Sequence, residues 1–285
     1  MEMFLLLQEN ISTSGNFTHQ IHLNLLFEFF SKEDGADFNI TDSYGGWCPM
    51  LRAIDIGNVE LIKLLISKSN GADLNLSSCN QNTPLIASIY RQNLEIAAEL
   101  IKSGADVNKE DTMGWTPLTI AIKTGNIELV TFLSSNGADL NFINRKNSTP
   151  VTMAIKEGNL KILESLLQNG ANPNIVTDEC FSPLYRAINK DNLEIAQFLI
   201  KNGADVNLVD RPKWAPISKA IEKGNMDILK LLLQNDANLN ILPDGCISPL
   251  NRAINENKFK IVKFLVDNGA DVNMVEEMDT NYQGH

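Results

Sequence analysis

At 285 residues the chain exceeds what one ordinary hydrophobic core organises, so either two domains or an extended array is expected. Apolar residues make up 44%, enough to fold, and 24 bases against 35 acids leave a formal charge of −11, so the molecule as a whole should repel nucleic acid and anionic membranes. The four cysteines (Cys48, Cys79, Cys180, Cys246) include no CxxC pair, which argues against zinc or disulfide-exchange chemistry and for reduced thiols in a cytoplasmic protein.

The N-terminal stretch has one short apolar run, Phe4 to Leu7, without a basic n-region, so no signal peptide is expected. No apolar run approaches the roughly 18 residues that span a bilayer, so no membrane association is expected. Residues 1–46 carry two apolar segments, Met3–Leu7 and Ile21–Phe30, and are expected to form a degenerate capping repeat and a first finger. Left disordered, they would expose Leu25, Leu26, Phe27, Phe29 and Phe30; the rival expectation is an amphipathic, partner-binding helix.

From there a period sets in. Prolines fall at Pro49, Pro84, Pro117, Pro150, Pro183, Pro216 and Pro249, the first gap 35 residues and the next five 33 each. The run Gly104-Ala105-Asp106-Val107-Asn108 returns in variant form at 137–141, 170–174, 203–207, 236–240 and 269–273, with wider-spaced earlier copies at 35–39 and 71–75. One unit shows the physics. Thr116-Pro117-Leu118 opens a helix, since proline's missing N–H is not needed in the first turn. Leu118, Ala121 and Ile122 share one side, and Gly125-Asn126 ends the helix. A second helix carries Ile127, Leu129, Val130, Phe132 and Leu133 at helical spacing, and Gly137 stops it. Asn141 to Ser148 then reads as a projecting loop or short hairpin. Helices this short must stack on neighbours to bury their apolar faces.

Thr-Pro-Leu opening a helix pair and Gly-Ala-Asp-Val-Asn closing it resemble the ankyrin repeat family over roughly residues 35–279. The resemblance implies an all-α repeat solenoid: stacked helix pairs, short β-hairpin fingers and a concave binding face. The repeats are expected at 47–81, 82–114, 115–147, 148–180, 181–213, 214–246 and 247–279, with a polar tail at 280–285. Three departures stand out. The family's His after Thr-Pro-Leu gives way to Leu51, Ile86, Thr119, Thr152, Tyr185, Ser218 and Asn251, of which only Thr, Ser and Asn offer a local hydrogen bond. Its Ala-Ala becomes Ala-Ile in most copies, which suggests a buried isoleucine ladder. Its finger glycine survives at Gly46 and Gly114 but becomes Cys180, Lys213 and Cys246.

Catalytic chemistry finds no support, and no enzyme, cofactor or metal is expected. The histidines are His19, His22 and His285; the first two could form half a metal site but lack a third ligand nearby. No glycine-rich phosphate loop precedes a helix. Cys180 and Cys246 lie two repeats apart, too far to bridge if layers stack at roughly 10 Å.

Binding features are better defined. Opposite the apolar side of each first helix lie Arg52, Arg91, Lys123, Lys156, Arg186, Lys190, Lys219, Lys223 and Arg252 against Asp55, Glu157, Glu222 and Glu256, a local excess of five positive charges on an acidic protein. Ala87, Tyr90, Ile120 and Met153 are expected to interrupt this stripe as an exposed apolar patch. Trp47, Trp115 and Trp214, with Phe181 and Ile247 in the same slot, sit two residues before the repeat proline, where they either meet a partner or pack on the next finger. The expected function is a protein-binding scaffold that holds an acidic segment with an apolar anchor against Tyr90, Trp115, Ile120, Met153, Arg186, Lys190, Trp214, Lys219, Lys223 and Arg252. The alternative is a sensor of an anionic small ligand, polyphosphate or oligonucleotide, on the basic stripe. The last helix lacks a polar cap after Ile261, Val262, Phe264, Leu265 and Val266, which implies either a longer protein or a contact at that end. Richness in Asn, Lys and Ile hints at an A/T-rich genome, and a secreted effector acting in host cytosol fits the same data.

The asparagines closing the repeats (Asn108, Asn207, Asn273) resemble sites that asparaginyl hydroxylases modify in this family, although a structural role in the finger turn is the stronger expectation. Co-expression with such a hydroxylase, read by intact mass, tests the modification: an unchanged mass removes it.

Overall fold

The computed structural model describes residues 38–39, 48–67, 72–77, 82–177, 181–210, 214–242 and 247–274. The expected N-terminal cap, Trp47, Cys79, Cys180, Lys213, Cys246, the three histidines and the polar tail lie outside these residues. Internal contacts divide the chain into Met1–Asp139 and Leu140–His285.

The first unit contains α1 (Pro49–Ile56), α2 (Val59–Ser67), α3 (Pro84–Tyr90), α4 (Leu94–Lys102), α5 (Pro117–Thr124) and α6 (Ile127–Ser135). The inner helices α1, α3 and α5 pack in sequence, each against its own outer helix α2, α4 or α6. The second unit repeats the plan with α7 (Pro150–Glu157), α8 (Leu160–Gln168), α9 (Pro183–Asn189), α10 (Leu193–Lys201), α11 (Pro216–Lys223), α12 (Met226–Leu233), α13 (Pro249–Asn255) and α14 (Phe259–Asp267). Here α9 packs on α7 and α11, and α11 on α13.

Local chemistry explains each boundary. Every inner helix starts with proline in its first turn, and Thr83, Thr116, Thr149, Ser182 and Ser248 accept a hydrogen bond from the backbone N–H three residues on. Thr119 and Thr152, which stand where the family has His, complete reciprocal capping boxes with Thr116 and Thr149. α11 departs from this: its N-cap is Ala215, with no side-chain bond. Outer helices start at Asn93, Asn126, Asn159, Asn192 and Asn225, each capping through its carboxamide oxygen. Gly125 ends α5 in the left-handed region at φ 73°.

The expected buried isoleucines are present in both units. Ile54, Ile89, Ile122, Ile155, Ile188 and Ile221 are each at most 1% exposed, buried with the small residues just before them. Fingers are tight turns: among the described residues there is one isolated antiparallel bridge, Asp210 with Trp214, and no strand. Asn144 shows the turn's construction. Its Oδ1 accepts from Lys146 N and Ser148 N, and its own N–H donates to Ser148 O at 3.1 Å.

A ladder of asparagines runs along the turns. The Oδ1 of Asn39, Asn75 and Asn108 in the first unit, and of Asn141, Asn174, Asn207 and Asn240 in the second, accepts the backbone N–H at the matching turn of the next repeat, at 2.6–2.8 Å. Asn108, Asn174 and Asn207 also donate Nδ2 to the carbonyl two residues before that amide.

The last described helix pair presents an open edge. Ile254 is 49% exposed where its equivalents are buried, and Val272 is 65% exposed where Val206 and Leu239 are under 10%. Val262 and Phe264, expected on that edge, are half-buried.

The ladder predicts a stability effect. Asn174→Ala should cost about 1–2 kcal/mol, from two bonds of about 0.5–1.5 kcal/mol each, and Asn174→Asp, which keeps the acceptor, about half as much. Urea unfolding at constant slope measures both; parental midpoints for the two variants would show that the ladder carries no load.

Candidate functional site

In the first unit the open face of the inner helices is narrower than helical projection implies. The slot three residues after the proline is half-buried at Arg52 and Ala87 and fully buried at Ile120, which removes Ile120 from the expected patch. Tyr90, at the end of α3, is 50% exposed. Trp115 is half-buried with the Lys123 ammonium 4.9 Å from its ring centroid. Arg91 pairs with Asp55 of the preceding inner helix.

The same slot in the second unit buries Met153, whose sulfur lies 3.6 Å from Asn144 Nδ2, and most of Lys219. Lys219 is no free surface charge. Its Nζ lies 2.6 Å from Glu222 and 5.5 Å from the ring centroids of both Tyr185 and Trp214. Burial works against its charge, but Glu222 and Tyr185 together hold its ammonium above the ordinary lysine range. Lys190, expected to meet a partner, instead donates to the Ile155 and Lys156 carbonyls at the end of α7, at 3.1 and 2.7 Å. Lys258, not singled out in the sequence, does the same for Ile221 and Glu222 at the end of α11. A cation at a helix C-terminus also meets the negative end of the helix dipole.

Around α9, α11 and α13 the structure brings Trp214, Arg252, Lys219 and Arg186 together. Phe181 stacks on Tyr185 (4.5 Å between centroids), and Tyr185 meets Trp214 edge-on at 6.2 Å. The Arg252 guanidinium lies 4.8 Å from the Trp214 centroid. Its Nε is buried without a hydrogen-bond partner, and the side chain makes no hydrogen bond or ion pair among the described residues. Arg186 Nε donates to Phe181 O at 3.3 Å. Lys223 is exposed at the end of α11.

Beneath this cluster lies a buried carboxylate that the sequence reading missed. Asp210 Oδ2 accepts from Ser182 N at 2.8 Å and Ser182 Oγ at 3.0 Å, tying the Trp214 finger to the start of α9. The equivalent Asp111 stays local, accepting from Met113 N and Trp115 N. A signal for the difference exists: the residue matching Met113 is Pro212, which has no N–H to donate. Burial raises the Asp210 carboxyl to about 6, against the opposing Ser182 bonds and Arg186 charge.

The family model described as ankyrin repeats (3 copies) matches residues 18–111, 103–177, 141–210 and 184–276. The chain belongs to the ankyrin repeat family, whose domains generally mediate protein–protein interaction and are generally non-catalytic. Solved structures similar to it include the ankyrin repeat domain of Bcl-3, a member of the IkappaB family, at 26% identity and TM-score 0.63, covering 68% of this chain and 89% of that one. The human ASB11 ankyrin repeat domain is 25% identical, TM-score 0.58, covering 79% and 99%. An ankyrin repeat domain from Acinetobacter baumannii AYE is 27% identical, TM-score 0.60, covering 66% and 98%. No curated protein matches. Among the described residues, no helix is long and apolar enough to cross a membrane.

The Asp210 geometry predicts a pH dependence. The folded chain holds this proton more tightly than the unfolded chain, so the contribution to stability is full below the unfolded pKa near 4 and is lost as pH rises through about 6. Asp210→Asn keeps an acceptor for Ser182 and removes the titration. Relative to the parent it should gain stability between pH 4 and 7.5, by at most about 3 kcal/mol. Urea unfolding at both pH values reads this directly; a pH-independent difference would assign the titration elsewhere.

Proposed function

We propose that this protein is a non-catalytic cytoplasmic scaffold that binds an acidic segment of a partner protein, with its principal contact around Trp214 and Arg252 in the second unit. The observation that carries this reading is Arg252. Arg91, Lys219 and Lys258 each have a carboxylate partner, and Lys190 has two carbonyls. Arg252 lies on the Trp214 ring, its Nε is buried without a hydrogen-bond partner, and no carboxylate pairs with it among the described residues. A carboxylate from a partner would complete a charge-assisted bond on an aromatic platform. Trp and Arg are also the residue types that dominate interface energetics. Membership of a protein-interaction family supports the class of ligand. Cys48, a buried free thiol, fits a reducing compartment. In the first unit, Trp115 under Lys123, with Tyr90 exposed, forms a lesser version of the platform.

The test uses a partner captured on the immobilised protein, identified and purified. Arg252→Glu and Trp214→Ala should each weaken its binding by about 2 kcal/mol or more, mainly through faster dissociation. Lys223→Glu should chiefly slow association and flatten its salt dependence. Lys161→Glu, on the outer helix α8, should bind like the parent. If Arg252→Glu and Trp214→Ala also bind like the parent, the site lies elsewhere. Thermal stabilisation by inorganic triphosphate, lost in Arg252→Glu, would favour a small anionic ligand instead.

A further inference from the structure

The Trp214 platform belongs to a row. Phe181, Trp214 and Ile247 occupy the same slot in three consecutive repeats of the second unit, 33 residues apart. Phe181 and Trp214 are half-buried and Ile247 is 39% exposed. The inner helices that follow them, α9, α11 and α13, pack directly on one another. Helices in contact lie about 8–10 Å apart, so the row offers one apolar contact every 10 Å or so.

This spacing selects among backbone conformations. A β-strand repeats its facing side chains about every 6.6 Å and falls out of step after one contact. A polyproline II segment rises about 3.1 Å per residue with three residues per turn, so every third side chain faces the same way about 9.3 Å along. An α-helix returns to the same face after seven residues, at about 10.5 Å, and also fits by distance alone.

Hydrogen bonding separates these two. The indole N–H of Trp214 and the guanidinium of Arg252 donate no hydrogen bond among the described residues. Both stand at the Trp214 step of the row and call for acceptors there. A helix has already used its backbone carbonyls internally, whereas a polyproline II backbone makes no internal hydrogen bonds and offers them all. Aromatic-lined grooves that present donors suit this conformation.

We infer that the partner segment lies across the fingers as an extended, polyproline II-type strand, with apolar residues at every third position against Phe181, Trp214 and Ile247 and an acidic side chain at Arg252. This rests on the reading of the Trp214–Arg252 site given above. The ordering cost of such a segment is low, because unfolded chains already populate this conformation.

A display library of random 16-residue peptides, panned on the full chain at low salt, tests the inference, because that length admits strand, helix and polyproline II alike. The enriched peptides should carry apolar residues three apart, with an Asp or Glu between or beside them. Binding of a labelled enriched peptide, read by fluorescence polarisation, should fall at least tenfold in Trp214→Ala and in Arg252→Glu. Trp214→Phe, which keeps the ring and removes the N–H, should fall several-fold. Circular dichroism and the unfolding midpoint establish that each variant is folded. Peptides that depend on Trp214 and Arg252 but show a two- or seven-residue apolar period would overturn the inference and leave the site standing. Enrichment indifferent to both variants, or none above bare support, would overturn the site and the inference together.

Discussion

Each repeat is registered against the next by one side chain, the asparagine that closes its turn. Its carboxamide oxygen takes the backbone N–H thirty-one residues on, or thirty-four at the first rung, and three of the asparagines return a hydrogen bond to the nearby carbonyl. Apolar burial supplies the bulk of the driving force but is non-directional. The carboxamide bonds fix where one turn sits against the next, and so where the finger residues fall. The regular spacing of Phe181, Trp214 and Ile247 is a product of that registration.

Stacking also explains which side chains remain available. An inner helix has covered flanks as well as a covered back, so a slot that one helix would expose is closed by its neighbour. Ile120 and Met153 lie there as ordinary core, and Lys219 survives there only because Glu222 meets its charge and two rings line its stem. Arg186 and Arg252, in the same slot, are half-buried, with Nη2 of the first and Nε of the second fully buried.

The repeat plan was legible because it depends on local signals: proline in the first turn, asparagine before the outer helix, glycine after the inner one. The buried isoleucines were legible for the same reason, since one-, four- and five-residue spacings fall on one helix face. The site was legible only as a list of candidates. Helical projection of a single helix contains no information about the helices beside it, so it overestimated the exposed face at Ile120, Met153 and Lys219. It could not show that Lys190 reaches back to the α7 carbonyls, because that bond joins residues about 35 apart through a flexible side chain. Asp210 escaped notice although Asp111 and Asp210 both precede a tryptophan by four residues; the discriminating feature is the missing N–H of Pro212.

In the second unit successive inner helices pack on one another, α7 on α9, α9 on α11 and α11 on α13, and the outer helix α10 packs on α12. Opening one such junction leaves the others intact, and fluctuations can travel independently along the stack. A strand laid across three fingers changes that. It spans two junctions at once, and neither can open without releasing part of the ligand. Occupancy would therefore lengthen the segment that opens as a unit, including the junction at α11, whose start at Ala215 lacks the side-chain cap its neighbours have. Bound and free protein would then differ less in shape than in how many repeats move together.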